Sequence, residues 1–128
     1  MIIDTSAILA ILFGEPDAAR YEEAIAMAWP RRMSVAALLE AAIVVESRGG
    51  TAAGDELDLF LKTASIELVP VTTEQANAAR RAWRRFGKGN HPAGLNFGDC
   101  FAYALAATSD EPLLFKGDDF ARTDIEAA

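Results

Sequence analysis

The amino-acid sequence predicts an α/β fold in which helices cover both faces of a central, mostly parallel sheet. Short apolar runs alternate along the chain with longer amphipathic segments, which is the order of strands and crossover helices in a parallel sheet. The first run, Met1–Ile3, is apolar and largely β-branched, as expected of a strand buried on both faces. With 128 residues and 52% hydrophobic composition, the chain can bury one core. We therefore expect one domain over residues 1–128.

The helices are assigned from apolar residues at helical spacing and from the residues that begin and end each segment. The run Asp4–Ser6 precedes the first helix and Ser34 the third. These side-chain oxygens can accept hydrogen bonds from the free N–H groups of a first turn. Gly14-Glu15-Pro16 ends the first helix and Gly49-Gly50 the third. The predicted helices are Ala7–Leu12, Asp17–Ala28, Ala36–Arg48, Ala52–Ser65, a helix capped by Thr72 or Thr73 that runs to Phe86, and Asp99–Thr108.

The strands are shorter and are identified by apolar runs that lie between turn residues. Ile66–Val71 alternates, as a strand with one buried face does. Residues 87–96 are rich in Gly, Asn and Pro and are predicted to be a loop. The predicted strands are Met1–Ile3, Arg31–Val35, Ile66–Val71 and Pro112–Phe115.

Composition and charge argue against several classes of protein. The apolar runs are too short or too interrupted by charge to cross a bilayer, and no basic region precedes the first of them, so we expect no membrane span and no signal peptide. The single cysteine, Cys100, excludes an internal disulfide framework and fits a cytoplasmic protein. Its neighbours suggest a small core residue. The net charge of −7 opposes binding to polyanions unless basic residues are clustered.

Acidic residues fall where a parallel sheet builds its ligand site. Asp4 follows the first strand, and Asp118 and Asp119 follow the last. Glu40 interrupts an apolar helix face, and Asp99 opens a helix that is otherwise almost wholly apolar. Each has a structural alternative as a helix cap, an exposed side chain or a turn residue. A carboxylate in an apolar stretch is costly to bury without a cation or a donor, and open α/β sheets bind ligands at the carboxyl ends of strands. We therefore expect a shared cation site.

Carboxylates without histidine or cysteine ligands favour Mg²⁺ or Mn²⁺ over zinc. The sole histidine, His91, lies in the predicted loop and cannot form a zinc set with one cysteine. The sequence has no Ser-His-Asp grouping, P-loop or dinucleotide fingerprint. A phosphoaspartate enzyme would need a second aspartate near Asp4, which is missing. The remaining hypothesis is hydrolysis of a phosphodiester by a metal-activated water.

Four segments of the sequence are similar to motifs of a known family. These segments are Met1–Ala7, Ser34–Glu40, Asn96–Ala104 and Leu113–Phe120. Over nearly its whole length the chain resembles the PIN-domain family, specifically the VapC toxins of type II toxin–antitoxin pairs. The resemblance implies a Rossmann-like α/β/α sandwich. It also implies an endoribonuclease that depends on Mg²⁺ or Mn²⁺, forms a homodimer and binds a VapB-type antitoxin, with operator DNA reached only through that antitoxin.

Position by position, the resemblance also implies site residues. The catalytic set is Asp4, Glu40, Asp99, Asp118 and Asp119. The metal is assigned to Asp4, Glu40, Asp99 and one of the last pair, with Asp118 given and Asp119 as the alternative. Thr5, Ser6 and Asn96 are candidates for contact with a metal-bound water or the scissile phosphate. Their alternative role is to cap helices.

One basic segment, residues 80–91, supplies the clustered positive charge that a chain of net charge −7 would need to bind a polyanion. It contains five Arg or Lys residues and His91 but no acid. Helical spacing places on one face the residues that we predict to contact RNA: Arg81, Arg84, Arg85 and Lys88. The same arginines would also suit an acidic tail of the antitoxin. Trp83 and Phe86 lie among them and are predicted to point into the core.

Two further hypotheses remain open at this point. In the first, the protein is a catalytically silent module whose acids hold a structural ion and whose role is antitoxin binding and operator autoregulation. In the second, it is a nuclease of structured DNA, which the small size of the chain disfavours. An upstream reading frame for a small DNA-binding protein would favour the toxin.

Overall fold

A computed structural model describes residues 1–128, and its core is a four-stranded parallel sheet. The strands are β1 (Ile2–Ile3), β2 (Arg32–Ser34), β3 (Glu67–Val69) and β4 (Leu113–Leu114). Their order is β3-β2-β1-β4, so β1 lies between β2 and β4. The backbone N–H of Asp4 donates to Leu114 O at 2.9 Å, which extends the pairing of β1 with β4 by one residue. The parallel sheet is as predicted.

Helices follow β1, β2, β3 and the loop before β4. They are α1 (Thr5–Leu12), α2 (Ala18–Met27), α3 (Val35–Thr63), α4 (Thr73–Phe86) and α5 (Phe97–Ser109). A short 3₁₀ turn, Phe120–Arg122, follows β4. The side chains of Asp4, Ser34 and Thr72 accept N–H groups of α1, α3 and α4, so these three predicted caps are confirmed. None of the helices has the length and apolar character needed to cross a membrane.

Alternate residues of the central strands supply two cores, one on each face of the sheet. Ile2 and Leu113 pack with residues of α4 and α5. Ile3 and Leu114 pack with residues of α1, α2 and α3. All four side chains are buried, because a strand in the middle layer has no face toward water. The predicted α/β/α arrangement is confirmed, and it places the carboxyl ends of β1 and β4 side by side.

Several predicted boundaries were wrong. The third and fourth predicted helices form one element, α3, which is kinked at Gly50, where the backbone φ is +70°. Glycine adopts this left-handed conformation without steric cost, so the helix bends there and resumes without a separate loop. Ser34 caps α3, which makes Val35 helical and shortens the second strand. The last helix begins at Phe97 because Asn96 is its cap. The third and fourth strands are also shorter than predicted, Glu67–Val69 and Leu113–Leu114.

Candidate active site

Asp4 lies at the junction of β1 and α1, buried at the carboxyl edge of the sheet. Only 4% of the residue is exposed. Its Oδ2 accepts hydrogen bonds from Ser6 N at 2.9 Å and from Ser6 Oγ at 2.6 Å. Burial raises the pKa of the Asp4 carboxyl, the Ser6 bonds oppose that rise, and the charge of Glu40 adds to it. Asp4 is therefore a buried acid with hydroxyl and amide donors but no basic partner.

Glu40 of α3 meets the first turn of α5 at Gly98. A Cβ atom at position 98 would lie 2.0 Å from Glu40 Oε2, so no larger residue fits there while the carboxylate keeps its place. The absence of a side chain lets Glu40 approach the helix turn that carries Asp99. Sequence reasoning missed Gly98 as a site residue. Its signal was a glycine in the first turn of a helix, where it lowers helix stability relative to alanine.

Asp99 is held at the N-terminus of α5 by a reciprocal capping box with Asn96. Asp99 N donates to Asn96 Oδ1 at 2.9 Å, and Asn96 N donates to Asp99 Oδ2 at 3.0 Å. The pKa of Asp99 is raised to about 7 by burial first and also by the charges of Asp4, Asp119 and Glu40, while the Asn96 bond opposes the rise. The charges of three acids from separate segments therefore act on Asp99.

One of these acids comes from the loop after β4, which carries Asp118 and Asp119, both exposed. The charge of Asp119, and not that of Asp118, is among the principal causes that raise the pKa of Asp99. Asp119 is therefore the acid of this loop whose charge acts on Asp99, and metal binding by Asp118 or Asp119 stays a prediction. We call Asp4, Glu40, Asp99 and Asp119 the carboxylate cluster.

Lys116 holds this acidic loop against the rest of the site. Its backbone N–H donates to Ser6 Oγ at 2.9 Å, and the same hydroxyl donates to Asp4. Its Nζ pairs with Asp17 at 2.8 Å and also contacts Glu15. The loop is thus fixed on one side through Ser6 and on the other through the segment that joins α1 to α2.

Thr5, Ser6 and Asn96, the predicted contacts to water or phosphate, all have partners within the chain. Thr5 Oγ1 is buried and donates to Ala37 O at 2.8 Å, which ties α1 to α3. Ser6 joins Asp4 to the acidic loop, and Asn96 caps α5. Their structural roles are therefore established by geometry, and a contact with water or phosphate stays a prediction.

The carboxylate cluster has the donor chemistry of a hard divalent cation. It offers only carboxylate oxygens, which Mg²⁺ and Mn²⁺ prefer. No ion pair of the structure includes any of its members. As they stand, no three His, Cys, Asp or Glu side chains lie close enough together to hold a metal ion. The residue types therefore fit such an ion, although they are not gathered at ligand distances.

The structure divides the predicted RNA-binding face of the basic segment. Lys88 lines a cavity beside α5 together with Arg80 and Trp83. Arg85 instead pairs with Asp124, with 3.2 Å between Nη1 and Oδ2. Arg81 and Arg84 are exposed on α4. RNA contact by these residues stays a prediction.

The prediction that Trp83 points into the core was wrong, because 49% of the residue is exposed. Its indole lies over the end of α4, where a Cβ atom at Gly87 would come within 2.5 Å of Trp83 Cδ1. The prediction for Phe86 is confirmed, since it is buried. Cys100 is also buried, and burial raises its thiol pKa, in agreement with a core role. His91 Nδ1 accepts Ala93 N within the loop.

Comparison with known proteins places this geometry in a family. The family model of the PIN domain matches residues 1–126. Ribonuclease VapC of Mycolicibacterium smegmatis is 59% identical over 99% of this chain and 98% of its own length. Ribonuclease VapC30 of Mycobacterium tuberculosis is 56% identical over 98% of this chain and 95% of its own length.

Solved structures agree on the fold. VapC20 of Mycobacterium tuberculosis, described as a toxin that cleaves the sarcin–ricin loop, superposes with a TM-score of 0.79. The match covers 99% of this chain and 97% of VapC20 at 16% identity. VapBC2 of Rickettsia felis, solved with a fragment of promoter DNA, superposes with a TM-score of 0.77 at 15% identity, covering 98% and 94% of the two chains. The chain therefore belongs to the PIN-domain family and, within it, to the VapC group.

Proposed function

We propose that the protein is a Mg²⁺- or Mn²⁺-dependent endoribonuclease, the toxin of a type II toxin–antitoxin pair that acts in the cytoplasm. The observation that carries this proposal is the carboxylate cluster, which is partly buried, lies at the carboxyl ends of β1 and β4, and has no basic partner. The close relatives named Ribonuclease VapC support RNA as the substrate.

Within this proposal Asp4, Glu40 and Asp99 bind the ion together with Asp119, for which Asp118 is the alternative. The bound ion supplies an activated water and neutralises charge on the phosphodiester. The chain orients the acids through fixed donors. Ser6 N and Ser6 Oγ donate to Oδ2 of Asp4, and Asn96 N donates to Oδ2 of Asp99. Oδ1 of each aspartate takes no part in these bonds. Such contacts orient a metal-binding side chain before the metal ion binds.

The proposal includes protein partners, namely a second copy of the chain and a VapB-type antitoxin. Large apolar side chains stand exposed in two places that would serve such partners. Leu39 and Ile43 flank Glu40 on the outer face of α3, and Met27 and Trp29 stand at the end of α2. The arginines of the basic segment serve RNA phosphates or an acidic antitoxin tail, and operator DNA is reached only through the antitoxin.

Replacing Glu40 with glutamine tests the proposal. The amide keeps the size of the side chain and is easier to desolvate than a carboxylate, so we expect an intact fold and intact antitoxin binding. RNA cleavage and growth arrest should fall by more than about 100-fold, because one ligand of the ion loses its charge. Glu46→Gln is the matched control, since Glu46 is an exposed acid on the same helix, and it should cleave normally.

Cleavage assays with Mn²⁺, circular dichroism and antitoxin co-purification provide the measurements. The same loss should follow Asp99→Asn, and it should follow Asp119→Asn but not Asp118→Asn. Wild-type cleavage by Glu40→Gln contradicts the mechanism. Wild-type protein that cuts no RNA with Mn²⁺, yet binds its antitoxin on operator DNA, supports the catalytically silent module instead.

A further inference from the structure

A cavity of about 600 Å³ lies between α4 and the N-terminal turn of α5. Its volume is within the range of about 300–1,000 Å³ that is typical of small-ligand sites. Its lining is mostly apolar and comes from both helices and from the segment between them. None of the lining residues is itself a member of the carboxylate cluster, so this cavity is a neighbouring feature of the same region.

Two aromatic side chains on the wall of the cavity face solvent. Trp83 is 49% exposed and Phe97 is 81% exposed. Phe97 is steadied by an edge contact with Phe101, with 5.0 Å between ring centroids. Exposed aromatics carry an unfavourable hydration cost, and surfaces that bind single-stranded nucleic acids use such rings to stack bases.

The rim of the cavity is cationic in a chain whose net charge is −7. Arg80 and Lys88 line it, and neither takes part in an ion pair. Residues 75–98 contain no acid. A ligand that complements this site therefore combines a flat apolar body with negative groups beside it.

The cavity adjoins the carboxylate cluster through the first turn of α5. Asn96 lines the cavity, and its backbone N–H holds Asp99. Phe97 lines both this cavity and the adjacent one of about 550 Å³ that contains Glu40. One strand of a polyanion can therefore pass from the rim to the acids around this turn.

We infer that the cavity is a base-binding subsite for single-stranded RNA: an unpaired nucleobase stacks on Trp83 and Phe97, and the adjacent phosphates contact Arg80 and Lys88. This inference rests on the proposed ribonuclease function. A base within a duplex is stacked on its neighbours and does not offer its faces, so the subsite selects an unpaired nucleotide beside the scissile bond.

The opposite edge of α4 provides matched controls. Arg85 faces Asp124, with which it pairs, and Arg81 lies one helical turn before Arg85 on that edge. Both add positive charge but lie away from the cavity lining. Their loss should weaken RNA binding only through general phosphate attraction, equally for RNA with and without bases.

Trp83 fluorescence tests the inference in a Trp29→Phe background, where Trp83 is the only tryptophan. The protein is titrated in EDTA, so that no hydrolysis occurs, with a short oligoadenylate and with the same oligomer built from abasic riboses. We expect quenching by the first oligomer alone and a preference for it of about tenfold. Trp83→Leu and Phe97→Leu, measured by anisotropy of labelled RNA, should lose most of that preference. Lys88→Ala should weaken binding to both oligomers, and Arg81→Ala should leave the preference intact.

Equal binding of the two oligomers to the wild-type protein overturns the inference. Absence of base-dependent quenching in the wild-type protein also overturns it. If sedimentation then shows that Trp83→Leu converts a dimer to a monomer, a second copy of the chain covers the cavity instead. Base-dependent quenching in a protein that cuts no RNA supports the subsite and counts against the ribonuclease proposal. Cleavage of RNA without base-dependent quenching supports the ribonuclease proposal and overturns the subsite.

Discussion

The two edges of the sheet carry acids in opposite circumstances. At the amino edge, Glu111 accepts the N-terminal amine of Met1 at 2.6 Å and also pairs with Arg32. Burial acts to raise the pKa of Glu111, but the amine and Arg32 overcome it and hold that pKa below its usual value. At the carboxyl edge, burial raises the pKa of both Asp4 and Asp99. The amino edge is complete in itself, whereas the carboxyl edge has charge for which the chain provides no counter-ion.

The largest expected effect of this difference is on metal response. Mn²⁺ should raise the free energy of unfolding by about 2.7 kcal/mol at 100 times its Kd, which is roughly 10 °C in Tm for a domain of this size. The Asp4→Asn/Asp99→Asn double variant should lose that response, because the carboxylates that would share the cation are gone.

Glu111→Gln is the control from the amino edge. It should lower Tm without changing the increase caused by Mn²⁺, as measured by thermal denaturation at several Mn²⁺ concentrations. A full Mn²⁺ response in the double aspartate variant would place the ion elsewhere.

The pH dependence of stability should have opposite signs at the two edges. Asp99 has a folded pKa of about 7, above its ordinary value of 3.8. Between those pH values the native state holds a proton that the unfolded state has lost. The stability that this proton contributes is fully present below pH about 4 and is lost as pH rises through about 7. Glu111 has a lowered pKa, so its contribution is present above its ordinary value of 4.5 and is lost as pH falls.

Urea denaturation of metal-free protein across this range measures both slopes. Asp99→Asn should flatten the decline toward pH 7, and Glu111→Gln should flatten the decline toward acid. A decline toward pH 7 that Asp99→Asn leaves unchanged would mean that another group titrates there.

The smallest effect is expected from Lys116, which tethers the acidic loop to Glu15 and Asp17. Lys116→Met removes a positive charge, so electrostatics alone would tighten Mn²⁺ binding. We expect the opposite, an affinity weaker by about tenfold, because the loop that carries Asp119 loses its side-chain tether and keeps only the backbone bond to Ser6. The cost in stability should stay below about 1 kcal/mol, since the pairs are partly exposed.

Calorimetric titration with Mn²⁺ measures this affinity. Lys116→Arg should restore most of it, and Arg32→Met, which breaks the pairs of the amino edge, should leave it unchanged. Tighter Mn²⁺ binding by Lys116→Met would show that the lysine acts by its charge and not by holding the loop.

Local pattern was enough to predict the main features of the fold. The caps at Asp4, Ser34 and Thr72 and the apolar strands were legible because capping and strand burial depend on residues close together in the chain. The positions of Asp4 and Asp99 were predicted in the same way, since each stands where a strand or a loop meets a helix, and their role as metal ligands stays a prediction. The kink at Gly50 was signalled as a break, but glycine alone did not distinguish a bend from a helix end.

Other features were decided only by packing between distant segments. The contact of Glu40 with Gly98 joins α3 to α5, and the way the loop after β4 faces Asp99 determines which acid of that loop raises the Asp99 pKa. Trp83 is exposed, and Arg80 and Lys88 line the cavity while Arg85 does not, because the position of α5 determines which edge of α4 remains open. Helical spacing indicates which residues share a side, but the free energy of packing against neighbouring elements determines which side is covered.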